Sequence, residues 1–251
     1  MDEDLGARPP PSVLRAWAVT EPRRLEGGQG RSFRAGGLVL KPASGDEEAT
    51  WLAGVLDGVT ADDVRVIRPM RARCGRWVVD GWSAWRWLEG EHREDAWDEV
   101  LEVSERFHRA VAGVRWSRAV VASHRWAVAD RVAWGEAVAD LPALVQPLLA
   151  RRRPVDLPCQ VVHGDLGGNV LFSDSEPPAV IDVSPYWRPT GFADAIVVAD
   201  AVAWAGAGED LLERLLRRQG TQLLLRAVLF RVASDPGTAS AYARLVALLT
   251  A

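Results

Sequence analysis

The spacing of hydrophobic positions changes character several times along the chain. Near the start, short apolar runs are separated by turn residues: Arg31-Ser-Phe-Arg-Ala, then Gly36-Gly37, then Leu38-Val-Leu-Lys41. A Gly-Gly pair between two such runs supplies the positive φ of a tight turn, so the stretch predicts a β-hairpin that ends at Pro42 and Gly45. Over residues 46–59 the period becomes helical, with Leu52, Val55, Leu56 and Val59 at i, i+3, i+4 and i+7 and acidic residues in the first turn. Strand-like runs return at 64–67, 76–79 and 82–88.

After Gly90 the pattern is mainly helical. Residues 94–114 carry Trp97, Val100, Leu101, Phe107 and Val111 on one side, and segments near 124–137 and 140–151 keep the same period. Val161-Val162, Val170-Leu-Phe172 and Ala179-Val-Ile181 then read as short buried strands around a Gly-rich turn and a Pro-Pro turn. Residues 192–250 are helical again. There is no internal repeat, and Pro9-Pro10-Pro11 reads as a stiff lead-in to the first element. The predicted class is α+β, with a β-rich part carrying one helix (1–88) followed by a larger, mainly helical part (89–251).

Composition narrows the functions available. Among 251 residues, 30 Lys and Arg face 34 Asp and Glu, a net charge of −4 that argues against a nucleic-acid partner. The start Met-Asp-Glu-Asp lacks the basic and apolar regions of a signal peptide, and no apolar run reaches the roughly 18 residues of a membrane span. A soluble cytoplasmic protein is expected, with no membrane partner. Cys74 and Cys159 lie far apart and form no C-x-x-C pair, as for thiols in a reducing compartment. Lys41 is the only lysine. Coding bias explains most of the excess of Arg, yet a single retained Lys suggests a place where a compact ammonium is needed and a planar guanidinium will not serve.

The most informative stretch is His163-Gly-Asp-Leu-Gly-Gly-Asn169, followed by Asp182 in Val180-Ile-Asp-Val. A carboxylate and an amide oxygen on one short loop, plus a carboxylate ending a buried strand, make a set of hard oxygen ligands suited to Mg²⁺. Asp165 would then orient and deprotonate a hydroxyl, so the set suggests metal-assisted phosphoryl transfer. A metal hydrolase built on His163 and Asp165 is a competing reading. It would want further histidine ligands, and no spacing ties any of the other three histidines to His163.

His-Gly-Asp-Leu, Asn and Ile-Asp in this order resemble the signature of the aminoglycoside phosphotransferase group within the protein-kinase-like fold. The fuller run from Val162 to Phe172, with Pro178 to Pro189, is similar to an actinobacterial branch of it. The resemblance spans about residues 25–205. It implies a bilobal fold, ATP and Mg²⁺ as cofactors, and a small hydroxylated molecule as acceptor. By resemblance Asp165 is the catalytic base, Asn169 and Asp182 are Mg²⁺ ligands, and His163 is a structural loop residue. It further implies that Gly27, Gly28, Gly30 and Ser32 cover the phosphates, that Lys41 contacts them, that Glu48 pairs with Lys41, and that Trp87 and Leu88 lie in a hinge binding adenine. His108, in a Phe-His ending common to the group's long helix, is a packing residue.

Several positions keep two readings. Gly27 to Gly30 alone would suit a hairpin or linker turn, and Glu48 alone a dipole-favoured helix start. Tyr186-Trp187-Arg188 suits either an acceptor groove or a packed loop, while Asp200, interrupting an apolar run, reads as a buried structural carboxylate or an acceptor group. The family pattern places Asn five positions after the catalytic Asp; here the spacing is four. That difference keeps a pseudokinase-like nucleotide-binding or scaffold protein as the alternative to an enzyme.

Overall fold

The computed structural model describes residues 8–26, 30–117 and 123–251. They form two compact units, one of residues up to 61 with 65–90 and Ser117, the other of residues 62–64, 91–116 and 123 onward.

The first unit opens with α1 (Pro11–Trp17), which starts on a proline whose missing N–H costs a first turn nothing. Strands β1 (Arg23–Arg24), β2 (Phe33–Ala35) and β3 (Leu38–Pro42) follow, then α2 (Asp46–Asp57), β4 (Arg65–Val66), β5 (Val78–Val79) and β6 (Trp82–Arg86). Five of the strands form an antiparallel sheet in the order β1-β2-β3-β6-β5. Gly36 turns the β2–β3 hairpin with φ +60°, as the Gly-Gly pair predicts. One face of the sheet presents Phe33, Leu40, Trp82 and Ala84, and Val13 and Trp17 of α1 complete that core. Lys41, one residue from Leu40, points to the other face and stands opposite Ser83 in the β3–β6 register. Helix α2 buries Leu52, Ala53 and Leu56, and its first turn holds Asp46, Glu47 and Glu48, where the helix dipole favours acids.

The second unit contains α3 (Trp97–Ala110), α4 (Arg125–Trp134), α5 (Gln146–Ala150), β7 (Gln160–His163), β8 (Val170–Leu171), β9 (Ala179–Val180), β10 (Pro185–Arg188), α6 (Thr190–Trp204), α7 (Glu209–Gln219), α8 (Thr221–Ser234) and α9 (Ala243–Thr250). Helices α6 and α8 bury residues around most of their circumference, which marks them as the centre of this unit's core. Tyr186 and Phe192 both pack on Phe230 with ring centroids 5.5 and 5.9 Å apart. Around that core two small antiparallel pairs, β7 with β10 and β8 with β9, carry the loops that matter below.

The pattern over 140–151 predicts one helix, whereas the chain makes a 3₁₀ turn at Ala143–Val145 before the short α5. Pro142 and Pro147 account for it, since each removes a backbone donor and restricts the residue before it. Tyr186-Trp187-Arg188 is a strand, with Arg188 held by Asp130 and Glu136 at 2.6 and 2.7 Å. Of the two readings for that segment, the packed one describes Tyr186 and Arg188; Trp187 is exposed. No helix among the described residues is long and apolar enough to cross a membrane.

Candidate functional site

The loop between β7 and β8 is assembled around His163, whose side chain is fully buried. Its Nδ1 accepts the backbone N–H of Asp165 at 3.1 Å and a longer contact from Ser184 N–H at 3.5 Å. The proton therefore sits on Nε2, which donates to the carbonyl of Ile181 at 3.1 Å. One imidazole thus ties Asp165 to the segment bearing Asp182. The structural role that the resemblance implies for His163 is the one its hydrogen bonds describe.

Gly164, between His163 and Asp165, is required by close approach. A Cβ there would lie 2.4 Å from Cε2 and 2.5 Å from Cδ2 of Tyr186. The Tyr186 ring fills that space from β10, and Gly164 N–H donates to Ser184 O at 2.9 Å.

The loop closes at Asn169 despite its short spacing. The Asn169 side-chain amide donates to the backbone carbonyl of Asp165 at 2.6 Å and makes a longer contact of 3.4 Å with Asp165 Oδ2. Ile181 N–H in turn donates to Asn169 O at 2.9 Å, extending the β8–β9 register by one pair. That pair puts Asn169 beside the residue preceding Asp182. Asp182 is exposed and takes φ +48°, a left-handed conformation that Asp tolerates better than most non-glycine residues.

These residues fit a Mg²⁺ ion in their donor chemistry. With its nitrogen committed to Asp165, Asn169 has Oδ1 left as a hard ligand, and Asp182 adds a carboxylate. Among the described residues no three His, Cys, Asp and Glu side chains form a metal-binding cluster. Mg²⁺ characteristically takes one or two protein carboxylate or amide ligands and completes its shell with phosphate oxygens and water.

Asp165 is also held from α8. Arg231 Nη2 donates to Asp165 Oδ1 at 2.7 Å and to Asp200 Oδ2 at 2.5 Å, while Arg231 Nε contacts both Asp200 oxygens at 3.0 Å. Tyr242 O–H donates to Asp200 Oδ1 at 2.8 Å. Burial pushes the Asp200 carboxyl up, opposed by the Arg231 charge, and the two carboxylates drive Arg231 further above its usual range. Asp200 is accordingly a mostly enclosed carboxylate, held by Arg231 and Tyr242.

A second chain of hydrogen bonds runs behind the loop. His163 N–H donates to His108 Nε2 at 3.2 Å, which leaves Nδ1 protonated toward Ser104 Oγ at 3.1 Å, and Ser104 donates to Asp194 Oδ1 at 2.7 Å. Burial holds the His108 imidazole far below its usual value, at about 3, with His163 adding to the effect. Burial likewise pushes Asp194 up, against the Ser104 hydrogen bond. His108 is neutral and internal, a packing residue with a polar task.

In the first unit, Lys41 lies on β3 and Glu48 on α2, each half-buried, while Glu47 is exposed. Gly30 takes φ +63° and its carbonyl accepts from Arg24; Ser32 O accepts Leu25 N–H at 2.9 Å. Gly27 and Gly28 lie outside the described residues. After β6, Trp87 N–H donates to Gly37 O at 2.9 Å, and the Trp87 ring sits under the Arg34 guanidinium at 4.0 Å. Trp87 Nε1 donates to Glu89 at 2.7 Å, and Leu88 is half-buried beside it.

The family model described as the phosphotransferase enzyme family, APH, matches residues 23–226. The chain belongs to this family. Among solved structures, a thermostable mutant of aminoglycoside phosphotransferase APH(4)-Ia in ternary complex with ADP and hygromycin B is 17% identical. The match covers 92% of this chain and 94% of that one, with a TM-score of 0.60. Spectinomycin phosphotransferase APH(9)-Ia in complex with ADP and spectinomycin is 14% identical over 89% and 84%, with a TM-score of 0.53. At such identities the likeness establishes the fold, which is the protein-kinase-like α+β fold. No curated protein sequence matches the chain.

Within this APH-family chain, the second unit brings Asp165, Asn169 and the Asp182 segment together through short backbone and side-chain hydrogen bonds. Arg231 was not legible in the sequence. It stands 66 positions from Asp165, and one of many arginines in a helix carries no mark of its partner. The nearest signal is Asp200, a charge inside an apolar run that needed a buried cation.

Proposed function

We propose that the chain is an ATP- and Mg²⁺-dependent phosphotransferase that moves the γ-phosphoryl group of ATP to a hydroxyl of a small molecule. The observation that carries this reading is the loop closure, with the Asn169 amide on the Asp165 carbonyl at 2.6 Å and the Asn169 carbonyl bound to Ile181 beside Asp182. The four-residue spacing favours the alternative of a nucleotide-binding protein without turnover. The closed loop speaks for the enzyme, because the amide still reaches the carbonyl it must hold.

In this reading Asn169 Oδ1 and the Asp182 carboxylate would hold Mg²⁺, which when bound would supply positive charge to the phosphate oxygens. Asp165 Oδ2 accepts a hydrogen bond from the acceptor hydroxyl and orients its oxygen toward the γ-phosphorus. The new O–P bond forms as the bond from γ-phosphorus to the β–γ bridging oxygen breaks. ADP leaves with that electron pair, and the hydroxyl proton passes to Asp165 Oδ2. Lys41, which the reading pairs with Glu48, would take α- and β-phosphate oxygens as a compact point charge. Gly30 and Ser32 would lie over the phosphates, and the Trp87–Leu88 stretch would take the adenine edge. The work is done by positioning and charge neutralisation.

The acceptor is assigned only by class, as an alcohol. A net charge of −4 is too slight to argue for a polycationic antibiotic. Phosphorus-31 NMR of the protein with MgATP and a panel of sugars, amino alcohols and aminocyclitols tests the proposal. A phosphomonoester signal that Asp165→Asn suppresses by about 10²-fold or more is the expected result. Bound MgATP with no transfer to any acceptor or to water contradicts it.

A further inference from the structure

We infer that Arg231 is a positioning residue for this transfer, fixing one oxygen of Asp165 so that the other is presented to the acceptor hydroxyl. The inference rests on the phosphotransferase reading of Asp165.

Burying a guanidinium in an apolar helix is costly, and a partner carboxylate normally offsets that cost. Asp200 already does so, with three contacts of 2.5 to 3.0 Å. A purely structural pair would stop there. Instead the same Nη2 that binds Asp200 reaches on to Asp165 Oδ1 at 2.7 Å. The Arg231 side chain is 16% exposed, whereas that of Asp165 is 50% exposed, so a fixed group holds a carboxylate that solvent would otherwise leave to rotate.

The orientation is defined all along the chain of bonds. An indole and a guanidinium only donate, and a carboxylate only accepts. Trp204 Nε1 donates to Tyr242 Oη at 3.2 Å, and Tyr242 donates to Asp200. Arg231 then bridges Asp200 to Asp165. Asp200 and Trp204 lie on α6 and Arg231 on α8, both packed through the core of the second unit, while Asp165 lies on a loop. A rigid helical frame therefore sets the rotamer of a loop side chain. The two oxygens of Asp165 divide the work, Oδ1 for the frame and Oδ2 for the substrate. Among the described residues Oδ2 receives only the 3.4 Å contact from Asn169.

Arg231→Lys keeps a buried cation but replaces the planar fork with a shorter point donor that cannot serve both carboxylates. With an active wild type, its kcat is expected to fall by about 10²-fold, the scale of a misplaced reacting group. Acceptor KM and MgATP affinity should stay within about threefold, the pattern of an interaction that matters in the transition state. Arg231→Ala should be slow and should regain activity with millimolar methylguanidinium, a rescue that a merely structural role does not give. If either single variant fails to fold, the paired variant Arg231→Gln with Asp200→Asn removes both charges together and should fold and be slow. A folded Arg231→Lys or paired variant with wild-type kcat overturns the inference. So does a variant that loses nucleotide affinity at unchanged kcat, since Arg231 would then serve the nucleotide instead. A wild type that binds MgATP but transfers to no acceptor and no water overturns the phosphotransferase reading and this inference with it, a result distinct from an active wild type indifferent to Arg231.

Discussion

Asn169 donates its side-chain amide to the backbone carbonyl of Asp165 across 2.6 Å, closing a loop with three residues between them. That contact fixes which end of the amide points outward, and in the proposed function Oδ1 is a Mg²⁺ ligand. Asn169→Ala removes both the closure and the ligand. It should lower kcat by about 10²-fold, the scale of a misplaced group, and raise the Mg²⁺ concentration needed for half-maximal rate. Initial rates against Mg²⁺ check it; an unchanged Mg²⁺ requirement would place the ligand elsewhere.

Gly164 faces the Tyr186 ring too closely for any side chain. Gly164→Ala should cost about 1–3 kcal/mol of stability, the range for overpacking. In a protein of this size each kcal/mol lowers Tm by about 2–4 °C. Adding Tyr186→Leu should recover part of the loss, because the two positions share one space and their effects are not additive. Simple additivity in thermal unfolding would count against the packing argument.

Much of the second unit's loop was legible because its chemistry is local. His163, Asp165 and Asn169 fall within seven residues, and Asp182 follows β9 by two positions. The β2–β3 hairpin was legible for the same reason, since Gly36-Gly37 states its own turn. Tertiary pairings were not. β10 is a strand because β7 lies beside it, and its Pro-bounded sequence announces only a rigid segment. Arg231 reaches Asp165 by helix packing, which leaves no trace in spacing. The polar line from His108 through Ser104 to Asp194 was hidden too, because its members sit on α3 and α6, far apart in sequence.

His108 supplies a pH dependence with a defined sign. Its folded value of about 3 lies below the unfolded value of about 6.5. Between these limits the unfolded chain binds the extra proton, so the stability due to this group is complete above pH 6.5 and is lost as pH falls toward 3. The slope is at most about 1.4 kcal/mol per pH unit for one proton. Denaturant unfolding of wild type and His108→Gln at pH 7.5, 6, 5 and 4.5 should show the mutant's deficit shrinking with acidity. A constant deficit would mean that His108 is not held neutral.

Lys41 is the one lysine in a chain otherwise written in arginine. If a point charge is required there, Lys41→Arg is not conservative. Its MgATP affinity should fall by about tenfold, the equivalent of roughly 1.4 kcal/mol, while the unfolding midpoint without nucleotide stays near that of the wild type. Equal affinity in isothermal titration would leave Lys41 outside the nucleotide contacts.

In the proposed function Asp182 holds the metal of a Mg²⁺-dependent nucleotide site. Thermal unfolding with and without saturating MgATP, beside Asp182→Asn, tests it most directly. At about 100 times Kd the ligand should add roughly 2.7 kcal/mol, a rise of several degrees in a chain this size. The expected result is that rise in the wild type, its dependence on Mg²⁺, and its loss in Asp182→Asn. No shift in the wild type, or an undiminished Mg²⁺-dependent shift in the mutant, would contradict it.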